Sequence, residues 1–393
     1  MTVRGSRLTF SLACVMVAIA PMQATAQVRE QRLTRPDATF PQEFGLIRGV
    51  RELPDGRVIV ADGAGQVVVL VDLASGTADT VGREGQGPRE YRQPDGVFAM
   101  PGDSTLLVDL GNGRLTMLGP TLAFGRTEPI SLGEPRPGAL SIRLPQGTDA
   151  RGRLYYQAAG RTGPDGSVLD SAGVLRWDPV ASKEDTVAKV KLEETSVSRS
   201  GGPTNQSVTM RPRPLTGRDG WAVDPDGRIG VVRLIDYHVE WIEPDGRVVR
   251  GPAVPYQPVR VGSAEKEAYL EQLGRSGLMV GVTNENGQIR TQMRRGGGRP
   301  SGLNANDLEW PEVMPPFQPS GVFAAPWGEL WVARAMPAGA PVTYDVFDRN
   351  ARLVKQVTLP EGRRLLGFGN GVVYAVRVDD LDLNYLERYR AGS

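Results

Sequence analysis

MPGDSTLLVDLGNGRLTMLG, residues 100–119, contains two short apolar runs separated by a Gly-Asn-Gly turn. Gly beside Asp or Asn accepts the positive φ of a tight turn, and Val, Leu and Thr suit a pleated, half-buried surface. The stretch therefore predicts a β-hairpin.

The phrase recurs. Copies run over Leu53–Gly63, Thr148–Gly160, Val223–Arg250, Ala325–Met336 and Gly369–Leu381, giving six with the first. From Gly56 to Asp103 is 47 residues, on to Gly152 a further 49, and from Gly328 to Gly371 is 43. A four-stranded propeller blade takes about 40 to 50 residues. The intervals Gly152 to Gly227 and Gly227 to Gly328 are 75 and 101 residues, so both carry insertions. Helical periodicity is nearly absent elsewhere, and many short strands with Gly and Pro punctuation predict an all-β fold of radially repeated sheets.

GREGQGPREYRQPDGVFAMPGDSTLLVDLGNGRLTML (82–118) resembles NHL-type six-bladed β-propellers: a glycine-rich link with Gly-Pro precedes an aromatic, a Pro, a strand and an Asp. WPEVMPPFQPSGVFAAPWGELWV (310–332) and YDVFDRNARLVKQVTLP (344–360) are similar to exported bacterial members. The resemblance implies six four-stranded antiparallel blades. The strand-end Asp of the first copies is replaced near Gln157 and Arg334. A zinc-bearing relative with amidating-lyase activity needs several histidine ligands, and His238 is the only histidine, so that activity is not carried over.

Residues 1–26 read as an export signal: Arg4 and Arg7, an apolar run Leu8–Ala20, and the small-residue site Ala24-Thr25-Ala26. The run is too short to span a bilayer, and no later segment is long enough. Cleavage near Ala26 predicts a periplasmic or extracellular chain without a transmembrane segment. Cys14, the only cysteine, falls inside the signal, and its context is poor for lipidation. The mature chain then excludes disulfides, thiolate catalysis and cysteine metal sites. With 46 basic against 45 acidic residues, binding of nucleic acid through bulk charge is not expected.

The mature chain, residues 27–393, is expected as one propeller, its ring closed by the mature N-terminal strand drawn from residues 28–35. Insertions at 193–218 and 253–318 should lie on one face, because links between consecutive blades share a side with the turns between second and third strands. Ser263 followed by Ala-Glu-Lys-Glu predicts a capped helix packed as a lid. The arginine-rich run 290–299 predicts a mobile surface loop.

The same face collects Asp62, Asp109, Asp236, Asp379 and Asp380, with Arg83 and Arg89 in the link 82–93 and Arg294 and Arg295 in the larger insertion. Carboxylates around a channel mouth suit calcium, while turn chemistry has each Asp bond its own backbone. His238, mid-strand in an alternating segment, is expected as a packed side chain rather than a base. GREGQGPREY lacks the Gly-Lys-Ser/Thr of a phosphate loop.

Two functions stay open. The first is a binding or scaffolding module that needs no cofactor, a monomer with a protein, small-molecule or glycan partner on the insertion face. The alternative is a calcium-dependent, lactonase-like hydrolase with one axial divalent metal.

Overall fold

Val58–Asp62 and Thr105–Asp109, the second strands of the first two repeats, are buried along their whole lengths. A strand covered on both faces has no polar side, so it reads as a continuous apolar run rather than an alternation. Ile59 and Ala61 face the second repeat, and Val58 and Val60 turn the other way toward the last. Side-chain alternation along the strand thus distributes one apolar run between two separate cores.

The computed structural model describes Met1 and residues 28–131, 141–159, 167–202, 205–276, 278–285, 288–295 and 304–391. The signal segment and its cleavage site, Cys14 included, lie outside the described residues.

Six antiparallel blades follow in chain order: Ile47–Thr80, Pro94–Pro129, Gly147–Lys191, Gly220–Arg250, Phe317–Thr358 and Arg363–Arg390. The first strand of each blade is innermost. Six apolar clusters lie between successive blades, one at each junction including that between blades six and one. A closed circle of interblade cores defines a six-bladed β-propeller.

Closure differs in detail from the expected strand at 28–35. Ala38–Thr39 is the fourth strand of blade six, antiparallel to Asn384–Arg390. Arg29–Arg32 instead pairs in parallel with Leu353–Thr358 as a fifth strand on blade five. The apolar anchors explain the shift: Phe40 and Phe44 are buried between blades six and one, whereas Arg29–Arg32 is largely exposed. The N-terminal segment thus fastens two blades. Blade closure of this kind leaves no open edge inside the ring.

The larger insertion leaves blade four and returns to blade five through a paired stem. Arg260 bridges Val313, and Val261 N–H donates to the Glu312 carbonyl at 3.0 Å. Beyond the stem lies α1, Ser263–Ser276, followed by the antiparallel strands Leu278–Glu285 and Gln288–Arg295. The N-terminus of α1 is capped by Glu265, whose carboxylate accepts the Gly262 N–H at 3.0 Å, rather than through Ser263 as expected.

The basic run expected as a loop is a strand over its first part. Asn286-Gly287 separates the two strands in sequence, which is the hairpin signal that the arginine content obscured. Residues 296–303 lie outside the described residues. The smaller insertion is also a hairpin, Thr195–Gly202 against Asn205–Pro212. Arg213 joins the two insertions, with ion pairs to Glu194 at 2.6 Å and Glu309 at 3.1 Å.

Candidate functional site at the channel mouth

Each inner strand begins on the face that carries the insertions, so the residues at those strand starts surround the axial opening. Two carboxylates from the sequence reading stand close to these starts. Asp62 is almost fully buried and accepts N–H bonds from Gly45 at 2.7 Å, Leu46 at 2.8 Å, Ala64 at 3.1 Å and Gly65 at 2.8 Å. Asp109, with no solvent exposure, accepts from the backbone of Arg92 and Asn112 and from the side chains of Asn112 and Arg114. Both fasten the start of an inner strand to the neighbouring turn.

A cation needs free oxygen lone pairs. The oxygens of Asp62 and Asp109 are already engaged by donors, so these residues do not fit an axial calcium. Among the described residues, no three His, Cys, Asp or Glu side chains converge on one point.

The other candidates are dispersed. Asp236 is exposed at positive φ in the blade-four turn. Asp379 caps its own turn by accepting from Leu381 and Leu383 N–H at 3.0 and 2.9 Å, and Asp380 beside it is exposed. Arg83 is exposed and pairs with Glu90 at 2.7 Å, while Arg89 takes a left-handed conformation in the same link. Arg294 and Arg295 end the strand Gln288–Arg295. His238 is buried, with Nε2 3.4 Å from Glu240 Oε1 and Nδ1 without a partner.

The link 82–93 is held from beneath. Tyr91 is fully buried in the core between blades one and two, and its hydroxyl accepts the Val68 N–H at 3.0 Å. Arg114 donates to the carbonyls of Gln86, Gly87 and Glu90. These bonds use the link's carbonyls, the reverse of a loop that offers N–H groups to phosphate. The aromatic of the repeat pattern is thus a plug in an interblade core.

Sequence reasoning missed the arginines of the mouth. Arg364 and Arg48 are each the second residue of an inner strand, on blades six and one. Arg364 Nη2 donates to the Ile47 carbonyl at 2.9 Å and to Asn384 Oδ1 at 3.3 Å. Protein surrounds Arg364 while it keeps partial solvent contact; desolvation, followed by the like charge of Arg48, lowers its pKa to about 10. The signal was present as Arg363-Arg364 directly before the apolar Leu365-Leu366 of an inner strand.

Helix α1 lies over the same arc. Near its start, Glu265 accepts the Ala338 N–H of blade five at 3.2 Å. At its end, Arg275 pairs with Asp382 of blade six at 2.8 Å, and the Arg275 carbonyl accepts from Arg48 of blade one at 2.7 Å. A cation at a helix C-terminus is electrostatically favoured. Tyr269 stacks edge-on against Trp310, with ring centroids 5.5 Å apart, so α1 rests on the insertion's own return segment. Farther along the chain, Met293 enters the core between blades two and three.

Blade five adds a distortion at this end of the axis. From Phe317 to Val322 its inner strand advances five residues while the partner strand, from Arg334 to Val332, advances two. The extra residues form a bulge that includes the exposed Ser320.

The sheet order, the six interblade cores and the ring closure define the chain as a six-bladed β-propeller. No protein-family model and no curated protein matches the sequence. Solved structures similar to it include an exported protein of Bacteroides fragilis, at 13% identity over 93% of this chain and 95% of that chain, with a TM-score of 0.46. A gluconolactonase of Xanthomonas campestris is 13% identical over 92% and 96% of the two chains, with a TM-score of 0.41. The PQQ-bound aldose sugar dehydrogenase of Streptomyces coelicolor is 16% identical over 91% and 97%, with a TM-score of 0.42. Among the described residues no helix is long and apolar enough to cross a membrane.

Proposed function

We propose that this protein is an exported, non-enzymatic binding module that takes its ligand at the channel mouth, beneath helix α1 of the larger insertion. The observation that carries the reading is the fastening of one insertion to blades five, six and one through Glu265, Arg275 and Arg48. A segment that only filled space between blades four and five would have no reason to reach the inner strand of blade one. Loops that cross a propeller's open face are where recognition residues concentrate. The hydrolase reading with an axial calcium has less support, because Asp62 and Asp109 are occupied by backbone donors.

The paired stem allows a clean test. Residues 261–312 can be replaced by a two-residue Asn-Gly turn, since Arg260 and Val313 already face each other. The full chain and this variant are dialysed to equilibrium against a small-molecule extract of the producing cells, and retained compounds are identified by mass spectrometry. At least one compound retained by the full chain and lost from the folded variant is the expected result. Equal retention by both would overturn the lid's role, and a stoichiometric, tightly held calcium would restore the hydrolase reading.

A further inference from the structure

Four arginines at strand ends come with acids. Arg114 has Asp109, Arg334 has Asp345, Arg233 has Asp219 and Glu240, and Arg363 has Glu387. Arg364 differs: its two partners, the Ile47 carbonyl and the Asn384 amide oxygen, carry no charge. Enclosing a cation without a counter-charge is costly, and a second cation nearby raises that cost. Arg48 supplies the second charge, from the adjacent inner strand.

Geometry also limits which acid could serve. Asp382 is engaged by Arg275 at 2.8 Å, and Glu387 by Arg363 at 3.2 Å. Asp95 stands on the inner strand of blade two, across blade one from Arg364. The start of the inner strand of blade one is held twice: Asp62 of the same blade accepts the Gly45 and Leu46 N–H groups, and Asn384 of blade six accepts the next, that of Ile47, with its neutral Oδ1 at 3.2 Å.

Building on the lidded-mouth reading, we infer that Arg364, with Arg48, forms a binding site for the oxyanion of a small ligand, a carboxylate or phosphate group. The guanidinium fork matches either group through parallel N–H···O bonds. An anion here supplies the counter-charge that the two hydrogen-bond partners of Arg364 lack. Arg48 also holds the carbonyl end of α1, so the ligand's charge and the lid meet at one side chain. The blade-five bulge places Ser320 at the same end of the axis, where a hydroxyl can serve the ligand's polar remainder.

The test uses the purified full chain and two probes, inorganic phosphate and citrate, each exchanged for sodium chloride at constant ionic strength. Thermal unfolding and titration calorimetry give the half-saturating concentration. Saturable stabilisation by at least one probe is expected, phosphate and citrate separating the two oxyanion chemistries. Arg364→Gln should weaken it about tenfold or more, Arg48→Gln should weaken it as well, and the rim variant Arg83→Gln should leave it unchanged. In chloride alone, Arg364→Gln should unfold no earlier than the wild type, a result that a purely structural arginine would not give.

If neither probe saturates, or if Arg364→Gln binds as tightly as wild type, the inference is overturned. Should Arg364→Gln fail to fold, Asn384→Asp puts a carboxylate beside Arg364 and should suppress the response; an unchanged response overturns the inference equally. A dialysis experiment that retains only an uncharged compound would refute the oxyanion site while leaving the lidded binding module standing.

Discussion

Blades one and two and the junction between blades six and one solve the same problem with different chemistry. In each, the start of an inner strand must have its N–H groups bonded away from solvent. Asp62 and Asp109 do this with carboxylates that gather several donors each. Where blade six meets blade one, the next N–H of the strand that Asp62 holds, that of Ile47, goes to the neutral oxygen of Asn384, and a guanidinium stands beside it. The first arrangement is closed chemically. The second holds positive charge on one arc of the ring, where the proposed recognition site would lie.

The sharpest way to break this comparison is to remove the closed arrangement. Asp109→Ala leaves the N–H groups of Arg92, Gln93 and Asn112 without this acceptor and the Arg114 charge without its carboxylate, so a loss of about 3 to 5 kcal/mol is expected by urea denaturation. Asn384→Ala removes a neutral acceptor and should cost about 1 to 2 kcal/mol. Equal losses would mean that the charge at Asp109 contributes little and that the two junctions are energetically alike.

Alkaline titration separates the two regions by sign. The Arg364 pKa is about 10 folded against an ordinary 12.5, so the folded state holds fewer protons there and the group adds stability as pH rises through that window. Buried tyrosines act oppositely. Desolvation raises Tyr344 and Tyr156 to about 12 from 10, so their stabilisation is complete below pH 10 and is lost above it. Burial, then Asp345, raises Tyr237 as well. The tyrosines outnumber Arg364, so the wild type should unfold on going above pH 10. Arg364→Gln has no such opposing group, so its stability should fall more steeply with pH above 10 than that of the wild type. Equal slopes would contradict the assigned desolvation of Arg364.

Asn384→Asp converts the open junction into the closed kind. The new carboxylate pairs with Arg364 but gives up the amide donor to the Asp382 carbonyl, now held at 3.1 Å. A net gain of about 1 kcal/mol at pH 7 is expected by denaturant midpoint. A loss would mean that Arg364 already has its charge balanced.

Much of this architecture was legible because turn chemistry is local. The Gly-Asp and Gly-Asn turns, with apolar runs such as Val58–Asp62, marked the repeats, and repetition marked the propeller. Closure by Ala38–Thr39 was less legible because a two-residue strand has no periodicity; Phe40 and Phe44 were its real anchors. The strand pair 278–285 and 288–295 was less legible because its arginines mask the apolar alternation, although Asn286-Gly287 is a two-residue turn signal. The aspartates were visible as a set, but whether a carboxylate faces a channel or its own turn depends on backbone N–H positions that no spacing reveals. Arg364 escaped because its meaning lies in the neutral oxygen that Asn384, 20 residues away, offers it in place of a carboxylate.

The smallest effect belongs to the link that connects blades one and two. Arg83 is 79% exposed and bonds the Glu90 carboxylate at 2.7 Å. Water and salt screen such a pair, so Arg83→Gln should change stability by less than about 0.5 kcal/mol. Glu90 should keep the link's shape without it, because its other oxygen accepts the Gly87 N–H at 2.6 Å and Arg114 still grips the carbonyls nearby. A loss above about 1 kcal/mol in denaturant unfolding, or weaker phosphate binding, would mean that the rim cation belongs to the same electrostatic unit as Arg364. The contrast between a chemically closed arc and a charged one would then have to be redrawn around the whole insertion face.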